Sequence, residues 1–212
     1  MMNLSAITIA IIIANVLVSM KGFNDFSFFE KYKFQIGPIK RGEQIRMLTS
    51  GFLHVDSRHL LFNMLTLYFF ADIVIYDFGQ GRFLIVYMVS LLFGSLLALG
   101  FHKDEYHYSA VGASGAVMGI IYAAILLFPE MRIYGFIPGW VFGIGYLVYT
   151  IVGIKGRFDN IGHTAHFGGA IGGYVTTLIF KPSLITSEPL VVGLLAVPII
   201  VLFILEKAGK LR

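Results

Sequence analysis

Gly112-Ala113-Ser114-Gly115-Ala116-Val117-Met118-Gly119 places a serine, ringed by glycine and alanine, where a hydrophobic helix begins. The segment ahead of it, 102–109, is polar, and the apolar segment behind it runs to Pro129. The first N–H groups of a helix lack intrahelical partners and carry the positive end of its dipole. A hydroxyl held there stands beside donors suited to a developing oxyanion. Gly112 and Gly115 are expected to keep the space around that hydroxyl clear for a carbonyl group. A serine in a membrane helix can equally bond back to a carbonyl of its own helix. The stretch therefore takes its meaning from partners elsewhere in the chain.

Lipid must be the solvent for much of this protein. Of its 212 residues 57% are hydrophobic and only 13% charged, too little polar surface to cover a water-soluble particle of this size. Seven apolar runs are visible, at 4–20, 60–76, 83–101, 112–128, 133–154, 164–180 and 190–205. Most approach the roughly 20 residues a helix needs to cross about 30 Å of hydrocarbon. They are continuous rather than alternating, so helices are expected and a barrel is not. The expected fold is an all-α, polytopic membrane helical bundle. The run opened by Ser114 spans only on the order of 25 Å. With its far end near one interface, Ser114 lies below the other, where irregular backbone is tolerated only inside protein or beside a wet cavity.

The chain has no cysteine, which excludes disulfides, a thiolate nucleophile and a cysteine-ligated metal. The net charge of +4 is spread between apolar runs, as membrane-flanking charge rather than a nucleic-acid surface. The N-terminus lacks a basic n-region and a small-residue cleavage site, so the first run is expected to be a retained anchor. The connection 21–58 mixes Phe23, Phe26, Phe28, Phe29, Tyr32 and Phe34 with seven of the sixteen Lys and Arg residues. That mixture suits a segment lying in the interface. The odd-numbered connections and the C-terminal tail hold thirteen basic residues against three, Arg82, Arg132 and Lys181, on the other side. A positive-inside count alone puts the first side in the cytoplasm.

Polar groups within spans are costly and mark candidate sites. Besides Ser114, two clusters fall on the same side. His163-Thr164-Ala165-His166-Phe167-Gly168-Gly169 opens the sixth run, and a histidine there can serve as general base for an otherwise weak hydroxyl nucleophile. Gly115 and Gly119 face one way on the fourth run, as do Gly169 and Gly173 on the sixth. Such small-residue faces permit the close helix approach that a Ser–His hydrogen bond needs. His166 shares the face of Gly169, whereas His163 lies a turn nearer water, so His166 is the preferred base. His59 and Asn63, four apart, share a helix face and are suitable oxyanion donors. His54 fits a loop-pinning hydrogen-bond network better than catalysis. The spacing of His54 and His59 is not that of a zincin, and no metal or other cofactor is expected.

Glu43-Gln44-Ile45-Arg46, His54, His59-Leu60-Leu61-Phe62-Asn63, Gly112-Ala113-Ser114-Gly115 and His166-Phe167-Gly168-Gly169, in that order, resemble the rhomboid intramembrane serine proteases. The resemblance implies a Ser114 nucleophile, a His166 base, and an oxyanion hole of the Ser114 N–H, His59 and Asn63. It makes Glu43 and Arg46 a structural pair in the first loop, residues 155–162 a cap, and the fifth run the helix that moves to admit substrate. It also implies a single domain over 1–212, with a six-helix core to about 182 and an extra C-terminal helix at about 189–206. Ile45, Ile75 and Met118 depart from the family pattern, which commonly has tryptophan, glutamate and an aromatic stacked on the histidine at those places. Altered rate or rigidity is the expected consequence.

The implied activity is serine endopeptidase cleavage of transmembrane segments of membrane-protein substrates, in the cell membrane, with the site opening to the extracytoplasmic side. This opposes the charge count. Seven of the thirteen charges lie in the first connection, however, and a segment folded into the interface weighs little in that count. The alternative is a catalytically silent rhomboid-like protein that binds transmembrane helices, which would be expected to lack the serine or the histidine. A transporter would need charges near mid-membrane, where Asp72 alone qualifies. The sequence carries no signal for oligomeric state.

Overall fold

A computed structural model describes residues 4–156 and 161–211. Ser5 caps α1 (Ala6–Asn24) by accepting from the Thr8 N–H. Asp25 ends α1 and at once caps α2 (Phe26–Tyr32), accepting from the Phe28 N–H at 2.9 Å. Beyond α2 the first connection folds into β1 (Phe34–Gln35), α3 (Ile36–Lys40), α4 (Arg46–Thr49) and a 3-10 turn, Ser50–Phe52. β1 pairs antiparallel with β2 (Ser109–Ala110), Phe34 opposite Ala110. This ties the first connection to the chain just ahead of Ser114. Phe34, Ile36 and Ile39 bury themselves against Ala98.

Arg46 fastens this region. Its Nε donates to Glu43 at 2.7 Å, and its Nη1 to the carbonyls of Glu30 and Lys33 at 2.7 and 3.1 Å. Arg46→Ala strands those carbonyls in a buried setting. It is expected to cost roughly 2–4 kcal/mol, read as a lower thermal midpoint in detergent, while Arg46→Lys recovers only part of the loss because a point charge cannot reproduce the fork. An unchanged midpoint in Arg46→Ala would show that the connection holds without it.

α5 (Ser57–Phe101), capped by Asp56, is two helical arms joined at Gly79, whose φ of 73° and ψ of 169° reverse the chain in one residue. The second and third apolar runs are these arms. There follow α6 (Ser114–Leu127), α7 (Gly139–Gly156), α8 (His163–Phe180), a single turn α9 (Leu184–Ser187), and α10 (Pro189–Lys207). The fifth run differs from its expected course. Its first residues form a hairpin of β3 (Arg132–Ile133) and β4 (Ile137–Pro138), turned through positive φ at Tyr134 and Gly135. Pro138 disfavours helix at the residue before it, so α7 starts only at Gly139.

The chain is a multi-pass all-α membrane bundle. α1, α5, α7 and α10 are long and apolar enough to cross a membrane. At 14 residues, α6 is only about 21 Å long, yet every residue from Gly115 to Leu126 is buried. Surrounded by protein, a short helix need not span lipid by itself. α8 is wedged between α6 and the second arm of α5 on glycine. A Cβ at Gly169 would strike the carbonyl oxygen of Gly115, and one at Gly173 that of Gly119. On its other flank, Gly168 backs onto Phe93 and Gly94, and Gly172 onto Ser90. Backbone meets backbone on both sides, which fixes where the first turn of α8 lies relative to that of α6.

Candidate active site

Ser114 is the first residue of α6, and no side chain caps that helix. The turn before it is held from two directions. Gly112 N–H donates to the Ser50 carbonyl at 3.0 Å, and Ala113 N–H to His54 Nε2 at 3.3 Å. His54 is fully buried, and its Nδ1 meets Ser19 Oγ of α1 at 2.8 Å while Ser19 donates to the Phe52 carbonyl at 3.0 Å. With Nε2 accepting, the ring hydrogen sits on Nδ1 and the imidazole must be neutral. Burial enforces this by pushing its pKa down to about 3. These bonds pin the turn before Ser114 to α1, and none of them reaches the serine hydroxyl.

His166, in the first turn of α8, brings Nε2 to 2.6 Å from Ser114 Oγ. That is within the reach a general base needs. His163 turns elsewhere, its ring lying over Gly153 and 5.3 Å from the ring of Tyr149, both on α7. At the far side of His166 stands Tyr146 of α7, its hydroxyl 2.8 Å from Nδ1 and its ring centroid 6.0 Å away at 35°. Sequence reasoning missed it. An aromatic was sought four residues after Ser114, where Met118 stands, whereas the ring arrives from a different helix. A signal was present: Tyr146 and Tyr149 are three apart on the fifth run, as His163 and His166 are on the sixth, and the pairs meet antiparallel.

His59 opens α5 with its backbone N–H on Asp56 Oδ1 at 2.8 Å. A Cβ at Gly112 would fall 2.9 Å from His59 Nε2 and 3.5 Å from Ser114 Oγ, so ring and hydroxyl flank that glycine. Buried His59 Nδ1 has no partner among the described residues. Asn63 spends one amide hydrogen on the His59 carbonyl at 3.0 Å, which leaves its second. The His59 ring and an uncapped helix start thus lie beside the hydroxyl, an environment that favours negative charge, with Asn63 one turn further along α5.

The two glycines singled out at the serine do different things. Gly112, at φ 132°, is the one beside the hydroxyl. Gly115 instead faces the Ala165 carbonyl, to which a Cβ would come within 3.2 Å, so its smallness serves the helix contact rather than the surroundings of the Ser114 hydroxyl. Gly112→Ala combines a Gly-only backbone region with overlap on the His59 ring. A destabilisation of about 1–3 kcal/mol is expected, with activity falling further than the folded fraction; unimpaired folding and turnover would contradict this account of the turn. Glu43 and Arg46 pair with each other within the first connection. Of the cap at 155–162, residues 157–160 lie outside the described residues.

Residues 41–183 match the family model of the Rhomboid domain. The chain belongs to the rhomboid family. The match takes in the turn at Glu43, both arms of α5, the Ser114 turn and the whole of α8. The chain is similar to RHOMBOID-like protein 12, mitochondrial, of Arabidopsis thaliana, at 30% identity over 185 residues, 77% of this chain and 55% of that one. It is also similar to Rhomboid protease GluP of Bacillus subtilis, at 33% over 138 residues, 64% of this chain and 26% of the relative. Rhomboid protein 1, mitochondrial, of Saccharomyces cerevisiae is 31% identical over 138 residues, 61% and 40% of the two chains. The chain thus spans between about a quarter and just over half of the length of these rhomboid relatives.

Proposed function

We propose that this rhomboid is an intramembrane serine endopeptidase that cuts transmembrane segments of membrane-protein substrates with Ser114 and His166. The observation that carries the reading is the 2.6 Å approach of His166 Nε2 to Ser114 Oγ at the start of two helices locked together on glycine. Ser114 attacks the scissile carbonyl as His166 Nε2 takes its proton. The oxyanion faces the Ser114 N–H, His59 and Asn63. His166 returns the proton to the leaving amine, the C–N bond breaks, and an acyl ester remains on Ser114. A water, deprotonated by the same nitrogen, attacks the ester and releases the carboxylate product and the free hydroxyl.

A regular helix hides its carbonyls in its own hydrogen bonds, so substrates carry small or helix-breaking residues near the cut. We assign the cell membrane as location, with the site opening to the extracytoplasmic side. The folding of the first connection onto β2 and Ala98 supports discounting its basic residues in the charge count. The chain is taken as one domain, the core to about 182 with α10 appended.

The test is reconstitution in proteoliposomes with a single-span substrate bearing a Gly-Ala pair near its extracytoplasmic end, products being mapped by mass spectrometry. One cut near that pair is expected, lost when the pair is replaced by leucines. No cut in any single-span substrate, from protein shown to be folded, would contradict the proposal.

A further inference from the structure

We infer that Tyr146 is a positioning residue for His166, fixing the ring's orientation and linking the base to helix α7; the inference rests on the proteolytic reading above. A base that accepts the Ser114 proton at Nε2 carries its hydrogen on Nδ1. In that tautomer Nδ1 donates to the Tyr146 hydroxyl oxygen across 2.8 Å, while Nε2 stands 2.6 Å from Ser114 Oγ. The imidazole is held at both ends, which restricts rotation about its stem, and the phenol oxygen accepts from Nδ1–H in the tautomer that leaves Nε2 free to take the Ser114 proton. This is the third-group logic of activated nucleophiles, met here by a phenol.

Tyr146 is itself delivered with little freedom. Three residues before it, the Gly143 carbonyl accepts from the Tyr122 hydroxyl of α6 at 2.8 Å, and a turn or two later Gly153 lets α7 lie directly over the His163 ring. α6 carries the nucleophile, α8 the base, and α7 the group that orients the base. When His166 takes the proton, the bond to Tyr146 becomes charge-assisted and strengthens. An interaction that tightens toward the transition state changes kcat rather than KM.

Tyr146→Phe keeps the ring and removes only the hydroxyl. In the reconstituted full chain it is expected to lower kcat roughly 10- to 100-fold, the range for a hydrogen bond to a charged partner. KM should stay within about twofold, the thermal midpoint should be unchanged, and labelling of Ser114 by a fluorophosphonate should slow in step with kcat. Should the phenylalanine protein unfold, Tyr146→Leu is measured on its monodisperse fraction, with the same kcat loss expected. Wild-type kcat and labelling rate in Tyr146→Phe would overturn the inference while leaving the protease reading intact. So would a raised KM with kcat unchanged, the mark of packing alone. A wild-type protein that neither cleaves nor labels would overturn both.

Discussion

Ser114→Ala is expected to abolish cleavage of a membrane-anchored substrate, and His166→Ala to bring it to nearly the same floor. An unaided hydroxyl is a poor nucleophile, and in the proposed mechanism the 2.6 Å contact to Nε2 removes its proton as the new bond forms. Because the two side chains act as one unit, their losses do not add. Each single change should cost at least about 10⁴-fold in kcat, and the double variant little more. Neither should unfold the protein: Ser114 caps nothing, and alanine at 166 keeps the backbone N–H bond to the Gly162 carbonyl that opens α8. Equal thermal midpoints beside absent turnover are therefore the expected pair of results. Substantial turnover in either variant, measured with membrane-embedded substrate, would contradict the assignment of the nucleophile or the base.

Gly169→Ala is expected to have the next largest effect, and through the fold. The added methyl would lie on the carbonyl oxygen of Gly115, a backbone atom that cannot swing aside. Relief requires α6 and α8 to separate, against the second glycine contact at Gly173 one turn on and the glycine contacts of α8 with α5 on its other flank. Overpacking of this kind typically costs about 1–3 kcal/mol or more. Any separation also carries His166 away from Ser114. A misplacement of about 1 Å at reacting groups can cost about 10²-fold in rate, so folded Gly169→Ala protein should be impaired well beyond its loss of stability. Gly193→Ala, where a Cβ would meet open space, should leave both properties unchanged. Equal stability and activity in the two variants would remove the glycine seam from the account.

The helices were legible because lipid leaves the backbone few choices. Each apolar run had to satisfy its own N–H and C=O groups, and where it did not become helix throughout, at 133–138, a proline and a turn with positive φ were responsible. The nearness of Ser114 to His166 was legible through two small-residue faces of matching period. What the sequence concealed depends on facing surfaces instead of spacing. Gly115 looks like a neighbour of the nucleophile, but a helix turns it away by about 100° per residue, toward Ala165. Tyr146 is separated from His166 by a connection and belongs to another helix, so only the matched spacing of two tyrosines and two histidines hinted at it. His54 was recognisable as a loop-pinning residue, yet that its anchor is Ser19 of α1 follows from tertiary packing alone.

The central claim is that Ser114 is an activated nucleophile at the start of α6. The most direct measurement is reaction of the purified, membrane-reconstituted chain with a fluorophosphonate, followed by peptide mapping. The account predicts one modified residue, Ser114, in the wild-type protein and at most trace modification in folded His166→Ala. A folded wild-type protein that stays unmodified at Ser114, while still binding transmembrane segments, would contradict it and identify a rhomboid that holds helices without cutting them.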